Sequence, residues 1–255
     1  MKISEARALV TGGASGLGHA VAQRVIAEGG KVALLDVQEP AGKSATQALG
    51  AHSSFHRCDV TSEAEVDAAV TAAHRQMGGI NLVVNCAGIV GAGRVLGREG
   101  PMSGDFFTKV VRINLIGTFL VDKAAALLMQ NNAPEEDGER GLIVHTSSVA
   151  AFEGQIGQCA YSATKAAVIG MTLPMAREFA RIGIRVMSIA PGIFHTPMMG
   201  GLPPEAQQSL GAQVPFPARL GKPEEFADLV VAIAQNRMLN GETIRLDGAI
   251  RMQPK

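Results

Sequence analysis

A chain of 255 residues, 47% hydrophobic and with Lys+Arg equal to Asp+Glu, has room for one large core and no net charge to draw a polyanion. This excludes an autonomous nucleic-acid binder and a polybasic membrane anchor, and with no Trp and one Tyr there is no platform for stacking bases. Cys58, Cys86 and Cys159 are odd in number, widely spaced and without a CxxC pair, so buried free thiols in a reducing compartment are expected, with neither a disulfide framework nor a metal site.

No apolar run approaches ~18 residues, so no membrane span is expected. The sequence opens directly on an apolar strand, which reads as a cytoplasmic protein without a targeting segment. That strand covers 6–10 (ARALV). TGGASGLG follows at 11–18, ahead of a helical run over 19–28. Glycines at 12, 16 and 18 let backbone N–H groups approach a phosphate, and the helix N-terminus adds favourable partial charge. Glycine-rich loops are common. The position of this one between strand and helix is what gives it meaning.

The second strand, 31–36 (KVALLD), ends in Asp36, eighteen residues after Gly18. A carboxylate there suits the adenosine ribose of a dinucleotide. It would accept both ribose hydroxyls and repel a 2′-phosphate. Ala14, Ser15 and Val37 bring no compensating cation, so NAD is expected rather than NADP. The plainer alternative is an Asp that caps the next helix. A helix over about 40–49 leads to a third strand at 53–58, closed by Asp59 and Val60. Ser62 is a fitting N-cap for a helix to residue 77. A buried fourth strand, 80–85, runs into Cys86, Ala87 and Gly88. Apolar strands alternating with helices imply a parallel sheet covered on both faces.

Residues 91–105 read as an irregular glycine-rich connection, and 106–129 as one long helix. Within that helix Asn114 lies among Val110, Val111, Ile113, Leu115 and Ile116, so its amide needs partners if buried. The acidic stretch 131–140 reads as solvated surface. A fifth strand, 142–146, delivers Ser147 and Ser148 at its C-terminal end, where ligands bind in open α/β sheets. The next helix, 157–181, carries Tyr161 and Lys165 four residues apart and hence on one face. A phenol beside an ammonium, with the Ser148 hydroxyl near, can exchange protons. The same spacing also suits a packed Tyr with a Lys reaching for water. A sixth strand, 184–190, ends at Pro191 and Gly192. The segment 193–215 then contains Pro197, Pro203, Pro204 and Pro215 with Ile193, Phe194, Met198, Met199 and Leu202, and it suits an apolar substrate lid. A helix over 223–235 and a seventh strand over 242–246 complete a single α/β domain spanning 1–255. The expected fold is of Rossmann type, with a seven-stranded, doubly wound parallel sheet.

TGGASGLG, Asp36, Asp59-Val60, NCAG at 85–88, Asn114, Ser148, YSATK at 161–165 and PG at 191–192 together resemble the short-chain dehydrogenase/reductase family over nearly the whole chain. SVAAFEGQIGQCAYSATK, GIRVMSIAPGIFHTPM and LNGETIRLDGAIRMQP are similar to members that act on 3-hydroxyacyl-CoA thioesters and on hydroxysteroids, which in animals are mitochondrial. The resemblance implies an oxidoreductase that interconverts a secondary alcohol and a ketone. It implies a cofactor site made by Gly12, Ser15, Gly16, Leu17, Gly18, Asp36, Asp59, Val60, Asn85, Ala87, Gly88, Tyr161, Lys165, Pro191, Gly192, Ile193 and Thr196. Ser148, Tyr161 and Gln155 would meet the substrate, and Asn114 would hold a water that links Lys165 to solvent. Family members usually assemble as dimers and tetramers, so a homotetramer is expected. The rival of another class is a non-catalytic NAD-binding subunit, against which the intact Asn114, Ser148, Tyr161 and Lys165 argue.

As general base, Tyr161 must ionise near neutral pH. A free Tyr has a pKa of about 10, so a value near 7 requires roughly 4 kcal/mol of differential stabilisation. Lys165 and the positive nicotinamide of NAD⁺ are both expected to favour the phenolate.

Overall fold

The computed structural model describes residues 1–200 and 203–254. Leu202, expected in the lid, lies outside the described residues, as does the side chain of Met198. The strands are β1 (Arg7–Thr11), β2 (Lys31–Asp36), β3 (Ser53–Arg57), β4 (Leu82–Asn85), a short pair β5 (Leu96–Gly97) and β6 (Gly100–Pro101), β7 (Gly141–Thr146), β8 (Ile184–Pro191) and β9 (Thr243–Leu246). Seven of them form one parallel sheet in the order β3-β2-β1-β4-β7-β8-β9. Chain order reverses between β1 and β4, and the crevice above that point is where a doubly wound sheet binds its ligand.

Alternation along the strands divides the core in two. Ala8, Val10, Leu34, Val84, Val144 and Met187 meet Val21 and Val25 of α1 (Gly16–Ala27) and Phe226, Val230 and Ile233 of α9 (Pro223–Gln235). Leu9, Leu35, Val83, Ile143 and Val186 face the other way. They meet Val66 and Val70 of α3 (Glu63–Met77), Val121 and Met129 of α5 (Gly117–Met129) and Met175 of α6 (Cys159–Phe179). Each fully buried Val, Leu or Phe contributes roughly 1.5–3 kcal/mol by leaving water. α2 (Glu39–Leu49) packs beside β3, and α7 (Pro197–Gly200) and α8 (Pro204–Ala212) lie in the expected lid.

Four expectations change. The long helix 106–129 is two helices, α4 (Gly104–Val111) and α5, joined by a wider π-type turn over Arg112–Ile116. Asn114 sits in that turn, and such turns gather at functional sites. Residues 91–105 contain the β5–β6 hairpin. The acidic stretch 131–140 is not all solvated, because Glu139 is 6% exposed. The cause is Arg185, buried on β8, which donates to the carbonyls of Ile233, Ala234, Asn236 and Leu239 around the end of α9. A buried guanidinium needs a counter-charge, and Glu139 Oε1 accepts from Arg185 Nε at 2.8 Å. Finally, the thiols are not all buried: Cys159 is exposed at the start of α6. Burial pushes the Cys58 thiol up to about 12 and the Cys86 thiol up to about 11, so both stay protonated. Among the described residues no helix is long and apolar enough to cross a membrane.

Candidate active site

The β1–α1 turn is closed by glycine. Gly12 has φ +62°, and a Cβ there would lie 2.9 Å from the backbone of Cys86 and Ala87. A Cβ on Gly18 would stand 2.6 Å from the Gly12 carbonyl oxygen. Neither neighbour is a flexible side chain, so any larger residue would push the turn apart. Thr11 Oγ1 accepts from the backbone N–H of Cys86 and of Ala87, each at 3.1 Å, tying the end of β1 to the segment after β4. Gly16 opens α1 and faces the lid segment, where the Cβ of Thr196 would be 3.7 Å from a Cβ at position 16.

Asp36 is partly exposed beside this turn. Its Oδ2 accepts from Ala14 N at 3.2 Å and its Oδ1 from Gln38 N at 3.0 Å. Arg57 is in register with Asp36 on β3, but its guanidinium is turned to Glu65 at 3.1 Å. Asp59 caps its own loop through Thr61, and Val60 packs on Gly117. A cleft of about 290 Å³ begins at Asp59 and Thr61 and is walled by Asp105, Thr108, Lys109, Arg112 and Ile113. A turn that admits no side chain at Gly12 or Gly18, a helix N-terminus and a carboxylate free of cations fit a dinucleotide.

The carboxyl ends of β4, β7 and β8 carry the other groups. Ser148 follows β7 and accepts from Ala150 N at 3.1 Å. On α6, Lys165 Nζ donates to the Thr146 carbonyl at 2.7 Å and lies 5.7 Å from the centroid of the Tyr161 ring. Asn114 is buried, Oδ1 accepting from Ile89 N and Nδ2 donating to Ile89 O, both at 2.9 Å, and Nδ2 also to Thr164 Oγ1 at 3.1 Å. A Cβ on Gly88 would stand 3.2 Å from Asn114 Oδ1 and 3.6 Å from Lys165 Nζ. Gly88, Asn114 and Lys165 therefore converge on one point. The residues expected after β8 also close on this edge. Gly192 N donates to Leu246 O and the Ile193 carbonyl accepts from Gly221 N, both at 2.9 Å, with Pro191 buried behind them.

Burial dominates the electrostatics. It pushes the Lys165 ammonium down to about 8. It pushes the Tyr161 hydroxyl above its ordinary value, opposed by a hydrogen bond with Ser148. The fold alone thus sets Tyr161 the opposite way from the expected phenolate. Lys165 aims its ammonium at a carbonyl and is itself weakened as a charge, so without a bound cofactor it does not offset the burial of the phenol.

Two expected residues have other engagements. Asn85 turns its amide into the core, Nδ2 donating to Asp122 Oδ1 at 2.6 Å. Gln155 Nε2 donates to the Gln253 carbonyl at 3.0 Å and tethers the C-terminal tail. His195 is exposed. Sequence reasoning missed Thr164 and the Thr146 carbonyl as partners of the site. The first was legible as the only hydroxyl between Tyr161 and Lys165 apart from Ser162. The second was not, because a backbone oxygen leaves no trace in a sequence.

A family model described as short chain dehydrogenase matches residues 6–207. A 3-hydroxyacyl-CoA dehydrogenase type-2 from Bos taurus is 51% identical over 249 residues, 97% of this chain and 95% of that protein. One from Drosophila melanogaster is 49% identical over 254 residues, 99% of this chain and 100% of that protein. A crystal structure of 3-hydroxyacyl-CoA dehydrogenase type-2 from Mycobacterium avium superposes with a TM-score of 0.91 at 43% identity, covering 97% of this chain and 96% of that one. A cofactor turn at the switch point and a Ser, Tyr and Lys set at the edge of the sheet, matched over this length, leave one conclusion: the chain is an oxidoreductase of the short-chain dehydrogenase family.

Proposed function

We propose that the protein is an NAD-dependent dehydrogenase that interconverts 3-hydroxyacyl-CoA and 3-ketoacyl-CoA thioesters. The observation that carries the chemistry is the convergence of Gly88, Asn114 and Lys165 on α6, one turn from Tyr161. The substrate class is supported by the names of the relatives that match over nearly the full chain. The nicotinamide cofactor, when bound, supplies the hydride acceptor and a positively charged ring.

Gly12, Ser15, Gly16, Leu17 and Gly18 would hold its phosphates, Asp36 the adenosine ribose, Asp59 and Val60 the adenine end, and Ile193 and Thr196 the carboxamide. The Tyr161 oxygen takes the proton of the substrate alcohol and returns it in the reverse direction. Ser148 fixes the substrate oxygen within reach of that phenol. Lys165, seated on the Thr146 carbonyl, keeps a positive charge by Tyr161 and would bond the nicotinamide ribose. Because burial sets Tyr161 high, ionisation near neutral pH requires the added charge of an oxidised cofactor as well as Lys165. Asp36 favours NAD, since a 2′-phosphate would bring negative charge against a carboxylate while Arg57 is engaged by Glu65.

A second reading, an apolar secondary alcohol such as a hydroxysteroid, is favoured by Val95, Leu96 and Ile156. They stay exposed on the two loops joined by the bond from Gly93 N to the Gly157 carbonyl, at the entry to α6. The purified protein is assayed for oxidation of NADH and of NADPH with acetoacetyl-CoA and with a ketosteroid. Acetoacetyl-CoA reduced with NADH at the higher kcat/KM is the expected outcome. A preference for NADPH overturns the reading of Asp36, and a preference for the ketosteroid moves the function to the second reading.

A further inference from the structure

Beneath the catalytic edge lies a layer of polar side chains that the chemistry above does not use. Asn85, His145 and Ser188 stand in one register row across β4, β7 and β8, and all are buried. Asp122 of α5, 0% exposed, closes on this row. Its Oδ1 accepts from Asn85 Nδ2 at 2.6 Å, and its Oδ2 bonds His145 Nε2 at 2.8 Å. The other ring nitrogen, Nδ1, lies 3.0 Å from Thr172 Oγ1 on α6. The Thr172 hydroxyl donates to the Val168 carbonyl at 2.9 Å, so toward His145 it is the acceptor and Nδ1 carries the hydrogen.

A sealed Asp–His pair is a poor source of stability, since apolar side chains of like volume often hold helices to a sheet as well or better. What directional bonds add is registry. Three consecutive residues at the end of β7 and just after it grip α6. His145 takes Thr172, the Thr146 carbonyl takes Lys165 Nζ at 2.7 Å, and Ser147 Oγ donates to the Lys165 carbonyl at 2.8 Å. Thr172 stands two turns beyond Lys165 on the same face. The contacts of Met175 and Ala176 in the apolar core beside Ile143 and Val186 carry no such direction.

We propose that Asp122, His145 and Thr172 are positioning residues that hold α6 at the rotation placing the Lys165 ammonium on the Thr146 carbonyl and beside Tyr161. The proposal rests on the role given to the Tyr161–Lys165 pair. Other ionisable groups on the elements packed around the trio are Cys86 after β4, Arg185 on β8, which is held by Glu139, and on α6 Lys165, Tyr161 and the exposed Cys159, Arg177 and Glu178. Lys123 of α5 is engaged by Glu63 at the surface. An ammonium that leaves its seat withdraws positive charge from the phenol, and Tyr161 becomes a weaker acid.

The sequence offers a direct readout. With one Tyr and no Trp, the ultraviolet absorbance of phenolate on raising the pH reports Tyr161 alone, and it is followed in the NAD⁺ complex, where the phenol is to ionise while Lys165, at about 8, still holds its proton. Wild type, Thr172→Val, Thr172→Ser, His145→Gln and Asp122→Asn are titrated below their unfolding temperatures, with NADH-dependent turnover of acetoacetyl-CoA measured beside. Thr172→Val and any folded variant of His145 or Asp122 should raise the Tyr161 midpoint by half a pH unit or more and lower kcat about tenfold. Thr172→Ser, which keeps the acceptor, should restore both. Folded variants that titrate at the wild-type midpoint, whatever their loss of thermal stability, overturn the proposal and leave the layer as packing. If wild type reduces no 3-ketoacyl thioester, the functional reading fails, and the absorbance titration still decides the positioning one.

Discussion

Tyr161 and Lys165 are the residues on which burial and chemistry pull in opposite directions. Removing the phenol oxygen removes the proposed proton acceptor and little of the fold, so Tyr161→Phe should bind NADH with unchanged affinity and turn over at least a thousandfold more slowly. Stopped-flow and equilibrium fluorescence titration check this, and wild-type turnover in that variant would remove Tyr161 from the mechanism. Lys165 makes a prediction of the opposite sign for stability. Its ammonium is pushed from 10.5 to about 8, which at 1.36 kcal/mol per unit is a penalty of about 3 kcal/mol on the folded state. The folded pKa is depressed below the unfolded one. Below about pH 8 both states hold the proton and the penalty is fully present. Between about 8 and 10.5 the unfolded chain binds the proton that the folded chain has shed, so stability rises with pH. Lys165→Met should therefore be inactive yet more stable than wild type to urea at pH 7, by about 1–3 kcal/mol, with the gap narrowing toward pH 9.5. A variant less stable at pH 7 would mean that the bond to Thr146 outweighs the desolvation.

The strands and most helices were legible because apolar runs and their punctuation reflect local physics. Ser62 caps α3 as its position implies, accepting from Glu65 N at 3.4 Å. The helix that breaks at Asn114 was not legible. Val110, Ile113 and Ile116 keep an apolar pattern straight through, and the wider turn arises because the amide must reach Ile89 on another segment. Glu139 was misread for the same kind of reason, its partner Arg185 standing 46 residues away inside an apolar strand. An Arg in IRVMSIA was the available signal, since a charge amid buried residues demands a partner. A third non-local element is the clasp of the tail. Arg245 Nη1 and Nη2 donate to the two oxygens of Glu153 at 2.8 and 3.1 Å, and Nε donates to Asp247 at 2.7 Å. Glu153 also accepts from Met252 N at 3.2 Å, which binds the tail to the loop between Ser148 and Tyr161. Lys cannot reproduce the fork. Arg245→Lys should lower stability by about 1–3 kcal/mol and kcat severalfold, with NADH affinity kept. Denaturant unfolding and steady-state kinetics measure both. Unchanged kcat in the folded variant would show that the tail does not order the catalytic loop.

At the scale of the whole molecule, the sheet explains why so few residues specify the chemistry. The switch point lies between β1 and β4, and the functional groups lie at the ends of β1, β2, β4, β7 and β8, so one edge collects what the chain scatters over 180 residues or so. The outer faces of the helices remain to be accounted for. Ile116, Phe119 and Leu127 are 41%, 49% and 64% exposed along the π-type turn and α5, and Leu173 of α6 is 42% exposed. Apolar side chains repeated along neighbouring helices are what a pairing surface presents, and two-fold self-pairing is the commonest closed assembly. A second apolar group, Phe152, Ile156 and Phe216, is exposed on the loops next to the tail, Phe216 N donating to the Gly248 carbonyl. Two separate surfaces of this kind, if both self-pair, would give a tetramer by pairing dimers. Light scattering should therefore report about four times 26.5 kDa at micromolar concentration. Phe119→Glu with Leu127→Glu should halve that mass to a dimer, because a charge placed at the centre of an apolar contact must be desolvated without a partner. The residues assigned to the cofactor all converge within one chain, so the dimeric variant should keep its affinity for NADH. A wild-type mass of 26.5 kDa would show that these faces stand in water, and the same mass for wild type and variant would move the interface elsewhere.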